Sequence, residues 1–277
     1  MRDVRPAAVA GFFYPEDPFE LARVVDSLVS AASVEATGED SASARGVRPS
    51  PAGRGPAWLL PHAGYRYSGS TAAAGYAELA LANPAITRVL LLGPCHRVRL
   101  DGVALPQARA MQSPLGLLPV PQVDAEIRSR LPALVDSAAA HADEHSIEVH
   151  LPFLQRTLGE VEVIPLAVGR VSPEAVAQII DALWTEPATA LVISSDLSHY
   201  LPYERARQVD AATIEQIGGL GGPLTHQQAC GATPANGLLV QARRVGARPR
   251  VVRVCNSGDT GGDRRRVVGY AAVAFDG

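Results

Sequence analysis

The sequence predicts a layered, single-domain α/β fold with helices on both faces of a sheet, and three observations carry that prediction. Short apolar runs at 57–60, 88–92, 161–166 and 189–194 have the length of buried strands. Segments with apolar residues at helical spacing stand between them. The chain has 277 residues, of which 47% are hydrophobic and 19% charged, enough for one sizeable core. No internal repeat or linker interrupts it, so residues 1–277 read as one domain.

The elements follow in order. Asp17-Pro18 is an N-cap followed by proline at the first helical position, and Leu21, Val24, Val25 and Leu28 then predict a helix over 18–32. Residues 33–56, rich in Ala, Ser, Gly, Pro and Glu, read as a flexible surface insertion. A strand at 57–60 ends at Pro61-His62, a helix covers 70–82, and a strand at 88–92 ends at Gly93-Pro94-Cys95-His96. A hairpin region spans 102–121 with turn chemistry at Ser113-Pro114-Leu115-Gly116. A short helix follows at 123–130, and 144–158 is helical in part, split or kinked by Pro152. Then come a strand at 161–166, a helix at 173–184, a strand at 189–194, helices at 202–217 and 233–245, and closing strands at 250–256 and 266–275.

Composition removes several classes of function. A net charge of -3 supplies no basic field for nucleic acid or anionic lipid. All 25 basic residues are arginine, so Schiff-base chemistry on a lysine is excluded. The start, Met1-Arg2-Asp3-Val4-Arg5-Pro6, has no apolar signal core, and no apolar run is long enough to cross a bilayer. The expectation is a soluble, cytoplasmic protein. Cys95, Cys230 and Cys255 are odd in number and far apart, which reads as reduced thiols. The glycine cluster at 218–222 lacks the lysine of a phosphate-binding loop.

Two strands place a histidine just past their C-terminal ends, His62 and His96. A third runs into Ser194-Ser195-Asp196-Leu197-Ser198-His199. Ligands of open α/β sheets bind at the carboxyl ends of strands, so these endings would gather His62, His96, Asp196 and His199 in one crevice. Imidazole suits several transition metals, and a site needs ligands from separate segments. The bland alternative is three unrelated loops. The segment His141-Ala142-Asp143-Glu144-His145-Ser146-Ile147-Glu148-Val149-His150 is dense in titratable groups but contains no His-Glu-x-x-His. On one helix, His141 and His145 would share a face, as would Glu144 and Glu148; a solvated helix start is the equal alternative. Cys230 precedes a helix, where a thiol favours the metal-binding thiolate, and spacing alone does not choose among the three cysteines.

These motifs together resemble the Memo family, whose bacterial members are called AmmeMemoRadiSam system protein B. The resemblance runs over nearly the whole chain. It is carried by Ala10-Gly11-Phe12-Phe13-Tyr14-Pro15, Pro61-His62-Ala63-Gly64-Tyr65-Arg66-Tyr67-Ser68-Gly69 and Leu92-Gly93-Pro94-Cys95-His96. Further on it is carried by residues 143–153, Ser194-Ser195-Asp196-Leu197-Ser198-His199-Tyr200, Cys230-Gly231 and Gly269-Tyr270-Ala271-Ala272.

The family is similar in fold to the class III extradiol dioxygenases, which implies a central mixed β-sheet flanked by helices. The resemblance also implies metal ligands His62, His96 and Cys230, an acid/base histidine His199 with Asp196 beside it, and a pocket including His145, His150, Tyr65 and Glu144. It implies iron(II) or copper as cofactor, with zinc as a third candidate, and an unidentified small-molecule or peptide ligand. AMMECR1-like and radical-SAM proteins are the partners the family name implies. A thiolate in place of the dioxygenases' glutamate favours softer metals. The expectations are therefore a metal-dependent oxidoreductase, a metal-binding redox regulator without turnover, or an interaction adaptor that uses the old pocket.

Overall fold

Alternation along the central strands decides the architecture. Side chains of successive strand residues point to opposite faces. Here Trp58, Leu60, Val89, Leu91, Ala190 and Val192 enter one apolar cluster, while Leu59, Leu90, Leu92, Leu191 and Ile193 enter another. A sheet apolar on both faces needs a helical layer on each.

The computed structural model describes residues 3–37, 53–82 and 86–277. In chain order the elements are β1 (Val4–Arg5), α1 (Pro18–Thr37), β2 (Ala57–Leu60), α2 (Tyr65–Ala82), β3 (Arg88–Pro94), β4 (Val103–Leu105), β5 (Ala110–Ser113), β6 (Gly116–Pro119), α3 (Ala125–Ser129), β7 (Leu134–Asp136) and α4 (Ala138–Ala142). They continue with α5 (His145–Glu148), α6 (Leu151–Thr157), β8 (Glu162–Val168), α7 (Pro173–Leu183), β9 (Thr189–Ser194), β10 (His199–Leu201), α8 (Tyr203–Gly218), α9 (Ala232–Val245), β11 (Arg248–Asn256) and β12 (Val267–Asp276).

Among the described residues the large sheet has nine strands, in the order β10-β12-β2-β9-β3-β8-β4-β7, with β11 also paired to β12. The central four, β2-β9-β3-β8, are parallel, so their C-terminal ends share one edge. Antiparallel β12 and β4 flank them, and the sheet is mixed. Helices α1, α2 and α6 supply Leu21, Val25, Tyr76, Leu79 and Phe153 to one face. Helices α7 and α9 supply Val176, Ile179, Ile180, Leu238 and Leu239 to the other. A small second sheet pairs β1 with the β5–β6 hairpin.

Several elements differ from the sequence expectation. Helix α1 runs on to Thr37, so 33–37, the start of the expected insertion, is helical. Residues 38–52 of that insertion lie outside the described residues. Helix α2 begins at Tyr65, five residues before 70, because the amides of Tyr67 and Ser68 already bond to Gly64 O. Within 102–121 only β5 and β6 form the hairpin, and β4 joins the large sheet against β8. Pro152 stands in the first turn of α6, where its missing N–H costs nothing, and it separates α6 from α5. Strands β7 and β10 and helix α4 are too short to carry a periodic signal.

Helices α7 and α9 meet at Gly237. Alanine is the better helix former by about 1 kcal/mol. A methyl group there, however, would stand 2.3 Å from Val176 Cγ1 and 2.6 Å from its Cβ. Overpacking typically costs about 1–3 kcal/mol. Gly237→Ala is expected to lower the urea unfolding midpoint; a raised midpoint would show that this contact relaxes freely.

Candidate metal centre

Three elements bring imidazoles to the C-terminal edge of the parallel strands. His62 follows β2, His96 follows β3, and His145 opens α5. One ligand nitrogen from each lies within 4.8 Å of the other two. The ring centroids of His62 are 5.4 Å from those of His96 and His145, and the His96 and His145 rings stack at 4.8 Å. Gly93 lets α5 come this close: a Cβ there would lie 2.5 Å from Ser146 Oγ, which donates to Pro94 O at 2.8 Å.

Hydrogen bonds fix which nitrogens carry lone pairs. Ser194 Oγ donates to Ser146 O at 2.6 Å, so it accepts from His62 Nδ1 at 2.6 Å. The proton is then on Nδ1, and His62 Nε2 is free to ligate. His96 Nδ1 donates to Glu144 Oε1 at 2.9 Å, which leaves its Nε2 free in the same way. Glu144 also accepts from the amides of His96, His145 and Ser146 and caps α5. His145 Nδ1 is 3.2 Å from Glu144 Oε1 but off the line of a hydrogen bond, and it has no hydrogen-bond partner among the described residues.

The electrostatics favour ligation. Burial, then the neighbouring His145 and His96, holds His62 well below its ordinary pKa, in the neutral form that binds metals. Burial raises Glu144, but the His145 and His96 rings outweigh it and keep the carboxyl well below its usual range. Three imidazoles from separate segments, with the buried His145 Nδ1 lacking a hydrogen-bond partner among the described residues, make a donor set that suits a transition-metal ion. The residues present fit the implied metal.

Of the three thiols, Cys230 is the one placed against the cluster, with Sγ 3.3 Å from His62 Nε2. Asp196 N donates to the same sulfur at 3.3 Å. Burial, then Asp196, pushes this thiol up to about 12; a bound cation acts in the opposite sense. Cys255 instead faces Thr71 Oγ1 at 3.0 Å, and Cys95 faces Val98 O at 3.4 Å.

A cavity of about 340 Å³ opens beside the cluster, with His145, Asp196, His199, Phe13, Tyr67 and Arg266 in its wall. His199 Nδ1 donates to Leu197 O at 2.9 Å, so its Nε2 carries the lone pair. Asp196 is buried, and its Oδ1 accepts from the His62 amide at 2.8 Å, which ties the carboxylate to the His62 backbone. Burial raises its pKa.

The sequence profile of the family described as Memo-like protein matches residues 5–274. The chain belongs to the Memo-like family. It is 34% identical to a MEMO1 family protein of Aquifex aeolicus, over 98% of this chain and 99% of the relative. It is 32% identical to one of Methanopyrus kandleri, over 98% of each. Among solved structures, an uncharacterized protein of Escherichia coli K12 shares the fold, with a TM-score of 0.51 at 15% identity, covering 80% of this chain and 99% of that one. No helix among the described residues is long and apolar enough to cross a membrane.

In this Memo-like chain two expected pocket residues stand elsewhere. Tyr65 is buried, its hydroxyl donating to Val149 O at 2.7 Å and its ring packed on Phe153; Tyr67 lines the cavity instead. His150 sits in the core, its Nδ1 2.9 Å from Tyr76 Oη. His141 and His145 share no face, because α4 ends at Ala142 before α5 begins. The third member of the cluster is His145, which the resemblance implied only as a pocket residue. Its signal in the sequence was the Asp143-Glu144-His145 start of α5, an acid capping the helix that a histidine opens.

His141 has a structural part. It is buried and donates from Nε2 to Ala104 O at 2.8 Å. Burial is the main cause that lowers its pKa from 6.5 to about 4, and Arg5 adds to it. The native state therefore favours the neutral ring. That stabilisation is complete above about 6.5 and is lost as the pH falls through about 4. His141→Gln is expected to make the fall in urea midpoint across this window shallower. An unchanged fall would assign the acid sensitivity to other groups.

Proposed function

We propose that this protein binds one redox-capable metal ion through His62, His96 and His145, with the Cys230 thiol as a further donor, and acts as a metal-dependent oxidoreductase of dioxygenase-like architecture. The observation that supports it is the trio of nitrogens within 4.8 Å of one another. Metal–nitrogen bonds are about 2.0–2.1 Å, so the three nitrogens would draw together around an ion from their present separations. Iron(II) and copper are the favoured ions. Two or three imidazoles suit iron, and a thiol shifts preference towards copper(I) or zinc.

The ion would supply redox chemistry at the mouth of the cavity. The other residues have parts that follow from their bonds. Ser194 and Glu144 fix the tautomers of His62 and His96. Phe13 and Tyr67 supply aromatic wall for an organic substrate. His199 lines the cavity with its Nδ1 held by Leu197 O, so its Nε2 is the nitrogen that can exchange a proton with a substrate there. A second reading, metal binding without turnover, is favoured by the Cys230 sulfur beside His62.

Anaerobic dialysis against iron(II), copper(I) or zinc, followed by elemental analysis, tests the binding. One equivalent is expected in the native chain and a large loss in His62→Ala and His96→Ala. Uptake equal to that of a His62→Ala/His96→Ala double variant would end the proposal. Cys230→Ser should weaken copper(I) more than iron(II); an equal effect on both would remove Cys230 from the ligand set. Oxygen uptake by the iron-loaded protein with a metabolite panel separates turnover from storage.

Glu144→Gln keeps the shape of the side chain but removes the charge that orients His96. Outer partners of this kind are worth about 10–100-fold in metal affinity. That loss is expected by competition with a chelator, and an affinity within about twofold of native would count against the role of Glu144.

A further inference from the structure

One fully buried carboxylate near the cluster has no part in the proposed metal binding. Glu148 is 0% exposed. It accepts from the amides of Ala8 at 2.8 Å and Val9 at 2.9 Å, accepts from the Tyr14 hydroxyl, and pairs with Arg5. All four partners belong to the N-terminal segment 5–14. A buried charge is costly unless its lone pairs are filled, and here the segment fills them.

Two paths lead from this carboxylate to the metal cluster. On the first, Arg5 donates from Nε to His141 O at 2.8 Å and from Nη2 to Glu144 O at 2.7 Å. It thereby holds the backbone of the residue whose carboxylate orients His96. On the second, the tethered segment makes a tight turn, with Gly11 N bonded to Tyr14 O at 2.8 Å and Phe13 N to Val9 O at 3.0 Å. That turn sets the Phe13 ring 4.6 Å from the His145 ring. Tyr65 N, donating to Phe13 O at 2.7 Å, holds the turn from the other side.

We propose that Glu148 is a positioning residue for His145: it tethers residues 5–14, and through Phe13 and Arg5 that segment holds the His145 ring and the Glu144 backbone in place. The inference rests on the reading that His62, His96 and His145 hold the metal. An acceptor-only carboxylate suits the task because every facing group is a donor. Glutamine would turn an N–H towards one of them.

The test uses the full chain with ¹³C at histidine Cε1, together with cobalt(II) binding followed by its visible absorption. In the metal-free protein, Tyr14→Phe and Glu148→Gln are expected to move the His145 resonance while leaving exposed His226 unchanged. Cobalt(II) affinity should fall about tenfold in Glu148→Gln, the scale of outer partners of a metal ligand. Phe13→Ala should weaken cobalt(II) binding in the native background and add nothing in His145→Ala.

An unmoved His145 resonance in Tyr14→Phe, or a Phe13→Ala loss that persists in His145→Ala, overturns the proposal. If Glu148→Gln does not fold, Tyr14→Phe and Phe13→Ala decide. If the native chain takes up no cobalt(II), iron(II) or copper(I), the metal reading fails, while the resonance comparison still decides whether Glu148 positions His145.

Discussion

The Glu144 carboxylate, ionised although only 1% exposed, is the interaction on which the site depends. Burying a lone carboxylate is expensive, and it stays charged because donors surround it. The amides of His96, His145 and Ser146 and the ring of His96 are those donors. They come from two chain segments, the end of β3 and the start of α5. One anion therefore ties the two segments together and fixes the face that His96 turns to the cluster. His62 is oriented by a different device, the Ser194 hydroxyl at the end of the adjacent strand β9.

Around this centre, the fold supplies rigidity by layering. The parallel strands β2, β9 and β3 lie side by side, so residues that follow them emerge at neighbouring points of one edge. Both faces of those strands are closed by apolar clusters, which leaves the edge as the place where polar groups can converge. Glu148 repeats the logic of Glu144 one turn further on. It gathers donors from the N-terminal segment, and that segment brings Phe13 against His145 and into the wall of the cavity.

Much of this is legible in the sequence alone. The strands at 57–60 and 189–194 match β2 and β9 residue for residue, since an apolar run bounded by polar or turn residues has little freedom in its ends. His62, His96, Asp196 and His199 follow strand ends, and the parallel order of those strands places all four near one edge. The start of α2 and the small elements β7, β10 and α4 were not legible, because three to five residues carry no periodicity. Tyr65 and Tyr67 look alike in sequence; one backbone turn sends the first into the core and the second to the cavity.

The sequence by itself determined the family, the α/β layering, and a store of histidines and thiols at strand and helix ends, because those are properties of local pattern. The resemblance had implied Cys230 as the thiol beside His62; only the tertiary structure decided that His145 completes the cluster and that His141 and His150 belong to the core. Each of those outcomes depends on contacts between segments distant in the chain. His96 meets Glu144, the neighbour of His145, across 48 positions, and Cys230 and His62 meet across 168. Spacing along a chain carries no record of such a meeting; packing of the sheet and its helices creates it.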